Sequence, residues 1–284
     1  MAAKQRGPGR KVPASAGYFG KHREGGRPPE PRRSKPINPA FAGGFWLYGL
    51  HTARAALLNP RRKVRRALLT DRAVSELGSA VRGVPVDTVL PEAISRLLPQ
   101  GAVHQGAALY CEPLPGLDLE EVLRAVPAGG RIVAVLDQVT DPHNEGAILR
   151  SAAAFGVAAV IVQDRHAPPE SGALAKAASG GLDIVPRIEV VNIARALEEL
   201  GRLGFWRIAL SGDGEGPLRD AAPKGDVAIA LGAEGSGLRR LVRERCDASA
   251  FIPLGRAMDS LNVSNAAAIA FYELSRDRSQ FLAR

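Results

Sequence analysis

Five polar side chains in three short segments, Asn144, Arg150, Glu234, Ser260 and Asn262, would bind and orient a ligand if the fold brought them together. Glu234 lies in Gly232-Ala-Glu234-Gly235-Ser-Gly237-Leu238, directly after the apolar run Val227-Ala-Ile-Ala-Leu231. A loop that follows a buried parallel strand sits at the carboxyl edge of its sheet, where α/β folds hold ligands. Glycines there let a bound molecule reach main-chain hydrogen-bonding groups. The order is G-x-x-G-x-G, whereas a dinucleotide fingerprint needs G-x-G-x-x-G, so a Rossmann dehydrogenase is disfavoured. Ser260 and Asn262 follow a second apolar run, 250–252, and Pro253. Asn144 follows a third, 132–136, in Asp141-Pro-His-Asn144-Glu-Gly146, and Arg150 lies on the expected helix 147–155, closed by Gly156. Each segment alone has a plain structural account: a glycine turn, an Asp141 or Asn144 cap, an Arg150 ion pair, a Ser260 or Asn262 cap on the final helix. Three such loops on one sheet edge instead describe a pocket.

The elements that must position these loops are legible as short continuous apolar runs at 132–136, 157–162, 208–210, 227–231 and 250–252, separated by helical segments. Strands buried on both faces of a parallel sheet read this way. The last helix carries Val263, Ala266, Ala267, Ala270, Phe271 and Leu274 on one stripe, rich in alanine and suited to close packing. Before this region, helical stretches at 51–58, 74–81 and 91–98 alternate with strands at 67–69, 86–90 and 107–111, making a small α/β unit over 45–113. A proline- and glycine-bearing linker is expected at 114–130, with one helical stretch at 119–125, and the second domain occupies 131–284.

Charge is concentrated at one end. The net charge is +9, yet residues 1–44 hold ten Lys or Arg against two Glu, and the other 28 basic residues nearly balance 27 acidic ones. The same tail holds seven prolines and eight glycines, so it is expected to be a disordered basic arm suited to phosphate contacts. Basic residues at 61–63 and 65–66 would give the first domain a rim facing RNA or simply a solvated turn. Cys111 and Cys246 are far apart with no metal-type spacing, which predicts two reduced thiols and no metal. No apolar run approaches the roughly 18 residues of a membrane span, so a cytoplasmic protein is expected.

The segments Asp141-Pro-His-Asn144-Glu-Gly146-Ala-Ile-Leu-Arg150-Ser151-Ala-Ala-Ala-Phe155-Gly156, Leu231-Gly-Ala-Glu234-Gly-Ser-Gly237-Leu238 and Ile252-Pro253 through Ser260-Leu-Asn262-Val-Ser264 resemble, in order and spacing, the three motifs of the SpoU (TrmH) RNA ribose 2′-O-methyltransferases. Leu47-Tyr-Gly-Leu-His51 and His104-Gln-Gly106 resemble the start and end of the ribosomal-protein-like RNA-binding domain that many members carry in front. The likeness spans roughly 45–280 and implies a SPOUT architecture: a C-terminal trefoil-knotted parallel-sheet domain, a small α/β RNA-binding domain, and the tail outside both.

The resemblance further implies S-adenosyl-L-methionine held at Leu231, Gly232, Gly235, Ile252, Pro253 and Leu261, and a homodimer. It implies that Arg150 activates the ribose hydroxyl or clamps the adjacent phosphate. Clamping is preferred, because a guanidinium resists deprotonation and suits bidentate contact with phosphate. Asn144 would position Arg150 or RNA, Glu234 would hold Arg150 or the cofactor, and Ser260 and Asn262 would complete the pocket. The expected substrate is structured RNA, with a guanosine of 23S ribosomal RNA favoured over tRNA because of the accessory domain. A non-catalytic RNA-binding assembly protein is the competing class.

Overall fold

A mixed four-stranded sheet and a parallel seven-stranded sheet divide the chain. The structure, a computed structural model, describes residues 43–255 and 257–276; all but the last two residues of the expected basic arm fall outside them. The first sheet is built from β1 (Phe45–Tyr48), α1 (Leu50–Leu58), β2 (Val64–Leu69), α2 (Asp71–Leu77), β3 (Val86–Thr88), α3 (Pro91–Ser95) and β4 (Ala107–Cys111). Its strand order is β1-β4-β2-β3. The central strand β4 runs antiparallel to both neighbours and is buried along its length. The expected helix 74–81 starts earlier, because Thr70 Oγ1 accepts the Ala73 N–H and caps α2 at its first turn.

After α4 (Leu119–Arg124) comes the larger sheet. It comprises β5 (Ile132–Asp137), α5 (Pro142–Ala154), β6 (Ala159–Gln163), α6 (Gly172–Ala178), α7 (Gly181–Ile184), β7 (Arg187–Val190), α8 (Ile193–Arg202), β8 (Trp206–Leu210), β9 (Gly216–Pro217), α9 (Leu218–Ala221), β10 (Val227–Gly232), α10 (Arg240–Glu244), β11 (Ala248–Phe251) and α11 (Val263–Ser275). All its strand pairs are parallel, in the order β7-β6-β5-β10-β8-β11-β9. The five apolar runs are the inner strands. The two strands the runs did not indicate are at or near the edges: β7 carries Arg187 and Glu189, and β9 is two residues long.

Every residue of β5 is buried, and alternate side chains enter different cores. Ile132, Ala134 and Leu136 pack with Ile148, Leu149 and Ala152 of α5 and with Ala267, Ala270 and Phe271 of α11. Val133 and Val135 pack on the other face with Leu197 and Leu200 of α8, Val242 of α10, and Leu119 and Leu123 of α4. The expected linker therefore contains a helix packed on the parallel sheet.

The two sheets meet through buried charge. Arg62, whose side chain is fully buried, donates to Glu170 at 2.6 Å, to Asp183 at 2.7 Å and to the Glu112 carbonyl at 3.0 Å. Asn59 also donates to Asp183. No helix among the described residues is long and apolar enough to cross a membrane.

Candidate functional site

The carboxyl ends of β5, β10, β8 and β11 share one edge, in register at Leu136 with Leu231, Leu231 with Leu210, and Leu210 with Ala250. Along that edge lies a cavity of about 560 Å³, within the range of ligand pockets. Leu231, Gly232, Glu234, Gly235, Ser260, Leu261 and Asn262 line it, as does Ile252. Pro253 is exposed and does not line it. Sequence reasoning missed one wall, Leu210 at the end of β8 with Ser211 and Gly212 after it. The signal was present: the run 208–210 is followed by Ser-Gly-Asp-Gly, the same strand-then-glycine pattern that marked the other loops.

The loop after β10 is folded tightly onto itself. A methyl group on Gly232 would lie 2.2 Å from the Gly237 carbonyl carbon, so only glycine fits there. Behind the loop, Asp137 at the end of β5 is fully buried and accepts from the Arg239 main-chain N–H at 2.9 Å and its Nε at 2.8 Å. That ion pair fixes where the loop returns into α10.

Three motifs meet in one hydrogen-bonded cluster. Glu234 Oε1 accepts from Asn144 Nδ2 at 3.1 Å and from Asn262 Nδ2, which also donates to Asn144 Oδ1 at 2.9 Å. The other side of the Asn262 amide caps α11, its Oδ1 accepting from Ser264 N at 2.9 Å. The helix-cap and site accounts of Asn262 are thus both true: capping leaves its Nδ2 donor aimed at Glu234 and Asn144. Ser260 lines the cavity and makes no hydrogen bond to a described residue.

Two expectations about the first motif change. The helix does not begin at 147; α5 begins at Pro142, with Asp141 accepting the His143 N–H as its cap and proline in the first turn. Asn144 is therefore in the first helical turn, not in a loop. Glu145, one residue on, is fully buried and pairs with Arg187 Nε at 2.5 Å, tying the start of α5 to β7. Burial pushes the Glu145 carboxyl above its ordinary range, against the pull of the Arg187 charge.

Arg150 is not brought to the cluster. Six residues beyond Asn144, it points roughly 120° away around the helix. It is exposed and has no ion pair among the described residues. Glu234 therefore holds the two asparagines and not Arg150, within one chain. The arrangement gives a slot lined by apolar side chains and main chain, with two acidic residues, Glu234 and Asp259, in its lining and the Arg150 guanidinium turned away on α5.

A model of the SpoU rRNA Methylase family matches residues 131–272. The 23S rRNA (guanosine-2'-O-)-methyltransferase RlmB of Vibrio vulnificus is 36% identical over 241 residues, spanning 82% of this chain and 97% of that protein. The SpoU methyltransferase AviRb from Streptomyces viridochromogenes, a solved structure, is 25% identical with a TM-score of 0.70 over 85% of this chain and 92% of its own. AviRb in complex with the cofactor AdoMet aligns with a TM-score of 0.69 at 23% identity, over 86% of this chain and 92% of that one. Sequence likeness that runs through both sheets, and a fold likeness of the same extent, agree with the three motifs joined at the cavity: the chain belongs to the SpoU rRNA methylase family.

Proposed function

We propose that this protein transfers a methyl group from S-adenosyl-L-methionine to a ribose 2′-hydroxyl in structured RNA, a guanosine of 23S ribosomal RNA being the expected acceptor. The observation that carries the proposal is the Asn144–Glu234–Asn262 cluster at the mouth of the glycine-lined cavity. The named activity of the relatives supplies the RNA class.

The cavity fits the cofactor's chemistry. Leu231, Ile252 and Leu261 offer an apolar slot for a flat base, and Gly232 and Gly235 expose main-chain groups beside it. When bound, S-adenosyl-L-methionine would supply an electrophilic sulfonium methyl group for the ribose 2′-oxygen, with S-adenosylhomocysteine as the leaving group and water taking the hydroxyl proton. Glu234, Asn144 and Asn262 keep the cavity mouth in one geometry, which alignment of donor and acceptor requires. Arg150 receives the phosphate beside the reacting ribose, orients the hydroxyl and stabilises negative charge developing on its oxygen. Its exposure and lack of an acidic partner support that role.

The proposal includes a domain division at 45–113, 114–130 and 131–284, a cytoplasmic setting, a trefoil knot and a homodimer. For the knot, the supporting feature is that β11 lies beyond β8 from β10, while α11 packs back against α5, β5 and β10. For the dimer, α11 leaves Ile269 and Tyr272 exposed, 41% and 51%, beside an otherwise buried stripe.

Labelled methyl transfer to unmodified total RNA, with the product mapped by ribose-methylation-sensitive sequencing, tests the function. One 2′-O-methyl site, lost in Arg150→Ala, is expected. Tight RNA binding with no transfer would instead favour a non-catalytic assembly protein.

A further inference from the structure

The motifs Leu47-Tyr-Gly-Leu-His51 and His104-Gln-Gly106 of the first sheet converge on one residue of the second, Lys176 in α6. A methyl group on Gly49 would lie 2.8 Å from Lys176 Nζ and 3.5 Å from Gln105 Oε1, so the ammonium sits directly over the Gly49 backbone, at a φ of 99°. The Tyr48 ring centroid is 6.0 Å away. Gln105 holds the place open: its own backbone is left-handed, and its Oε1 accepts the Leu50 N–H at 3.3 Å, leaving the amide N–H₂ without a described partner.

Lys176 lacks an anion. Among the described residues its ammonium has neither an ion pair nor a hydrogen bond, and the acids of this seam, Glu170 and Asp183, are held by Arg62. Loss of hydration lowers its affinity for a proton; burial of His104 and, to a lesser degree, the charge of Lys176 disfavour a proton on that imidazole. His104 Nδ1 accepts the Gly106 N–H, which leaves Nε2 as the donor toward Ser95 Oγ. A partly desolvated cation with donors and a neutral imidazole around it is costly for folding alone and suited to a bound anion.

The seam packs directly against α5, the helix that carries Asn144 and Arg150. Gly146 of α5 packs against Ala177, the neighbour of Lys176, and Gly181 packs against the Leu149 carbonyl and the Arg150 nitrogen. We propose that Lys176, with the Gln105 amide beside it, seats a backbone phosphate of the RNA where the two sheets meet, and thereby sets the register of the strand that Arg150 receives. The inference rests on the RNA-methylation function proposed above. Phosphate contacts of this kind position a nucleic acid without reading its bases.

The test compares the full-length protein with Lys176→Met and Lys176→Arg, using an unmodified 23S ribosomal RNA transcript across a potassium chloride series. Lys176→Met is expected to weaken RNA binding about five- to tenfold and to make the slope of log affinity against log salt shallower by about one. Lys176→Arg should retain most of the affinity. S-adenosyl-L-methionine affinity should stay unchanged, and the thermal midpoint of Lys176→Met should be equal to or above wild type. Equal RNA affinity and slope for Lys176→Met, or a lowered midpoint with unchanged RNA binding, would overturn the proposal and make Lys176 a structural partner of Tyr48. An altered slope with no methyl transfer by wild type would support the phosphate seat while defeating the methylation function.

Discussion

At the amino-terminal end of β5 and β10, Asp226 accepts main-chain N–H groups from Gly129, Gly130 and Arg131 at 2.9, 2.8 and 2.7 Å and pairs with the Arg131 guanidinium. At the carboxyl end of the same two strands, a cavity of about 560 Å³ is walled by glycine loops, and two of its lining residues, Glu234 and Asn262, bond to each other and to Asn144 across three motifs. The side chains of Arg131 and Asp226 are only 10% and 9% exposed, whereas Glu234 and Asn262 are open to solvent. One end closes its hydrogen bonds within the fold; the other leaves donors and acceptors for something else. Substitutions at the first end should therefore move stability, and those at the second, activity.

The largest expected effect lies on the open side. Arg150→Ala should lower kcat for methyl transfer by about a thousandfold, the scale for losing a group that stabilises developing charge, with no change in the thermal midpoint. Arg150 has no described ion pair to lose, so a fall in the midpoint of several degrees would contradict its assignment to substrate. On the closed side, Asp226→Asn should destabilise the fold by about 3 kcal/mol, because the buried Arg131 is left without its partner. Thermal unfolding would show this as a fall of roughly 6–12 °C, with methyl transfer preserved well below the midpoint.

The closed end also has a pH signature. Burial pushes the Asp226 carboxyl up, but the hydrogen bond from Arg131 and the three main-chain N–H groups prevail and hold it at about 2. A depressed folded value means that its stabilising contribution is present above pH 4 and is lost as pH falls through about 2. It amounts to at most about 2 kcal/mol, and Asp226→Asn should remove it from an acid-unfolding curve. The smallest effect is expected from Glu234→Gln. An amide oxygen still accepts from Asn144 and Asn262, so activity should fall about tenfold, the loss of charge assistance in the two bonds, with unchanged stability.

The asymmetry between the two ends was only half visible in the sequence. The glycine loops and their polar residues stood out because each follows a continuous apolar run, the pattern of a strand buried on both faces of a parallel sheet, and the observed pairings give those strands one carboxyl edge. The closed end had no such mark: Asp226 reaches residues nearly a hundred positions earlier, and a lone aspartate before a strand predicts no partner. The wall at 210–212 was legible by the same rule as the others. Asn144 was misplaced by one helical turn because Pro142, which cannot continue a helix but readily starts one, reads equally well as a loop residue.

By itself the sequence determined the α/β class, the order of the inner strands along the chain, the three motifs and the family to which they belong, since these depend on local pattern and spacing. Tertiary structure decided which of the five polar residues touch. It set Asn144, Glu234 and Asn262 within one hydrogen-bonded cluster, turned Arg150 away on the same helix, and placed Lys176 without an acid over Gly49. Those outcomes depend on how helices rotate and strands stack when distant segments pack, and no local pattern encodes the distance between residues a hundred positions apart.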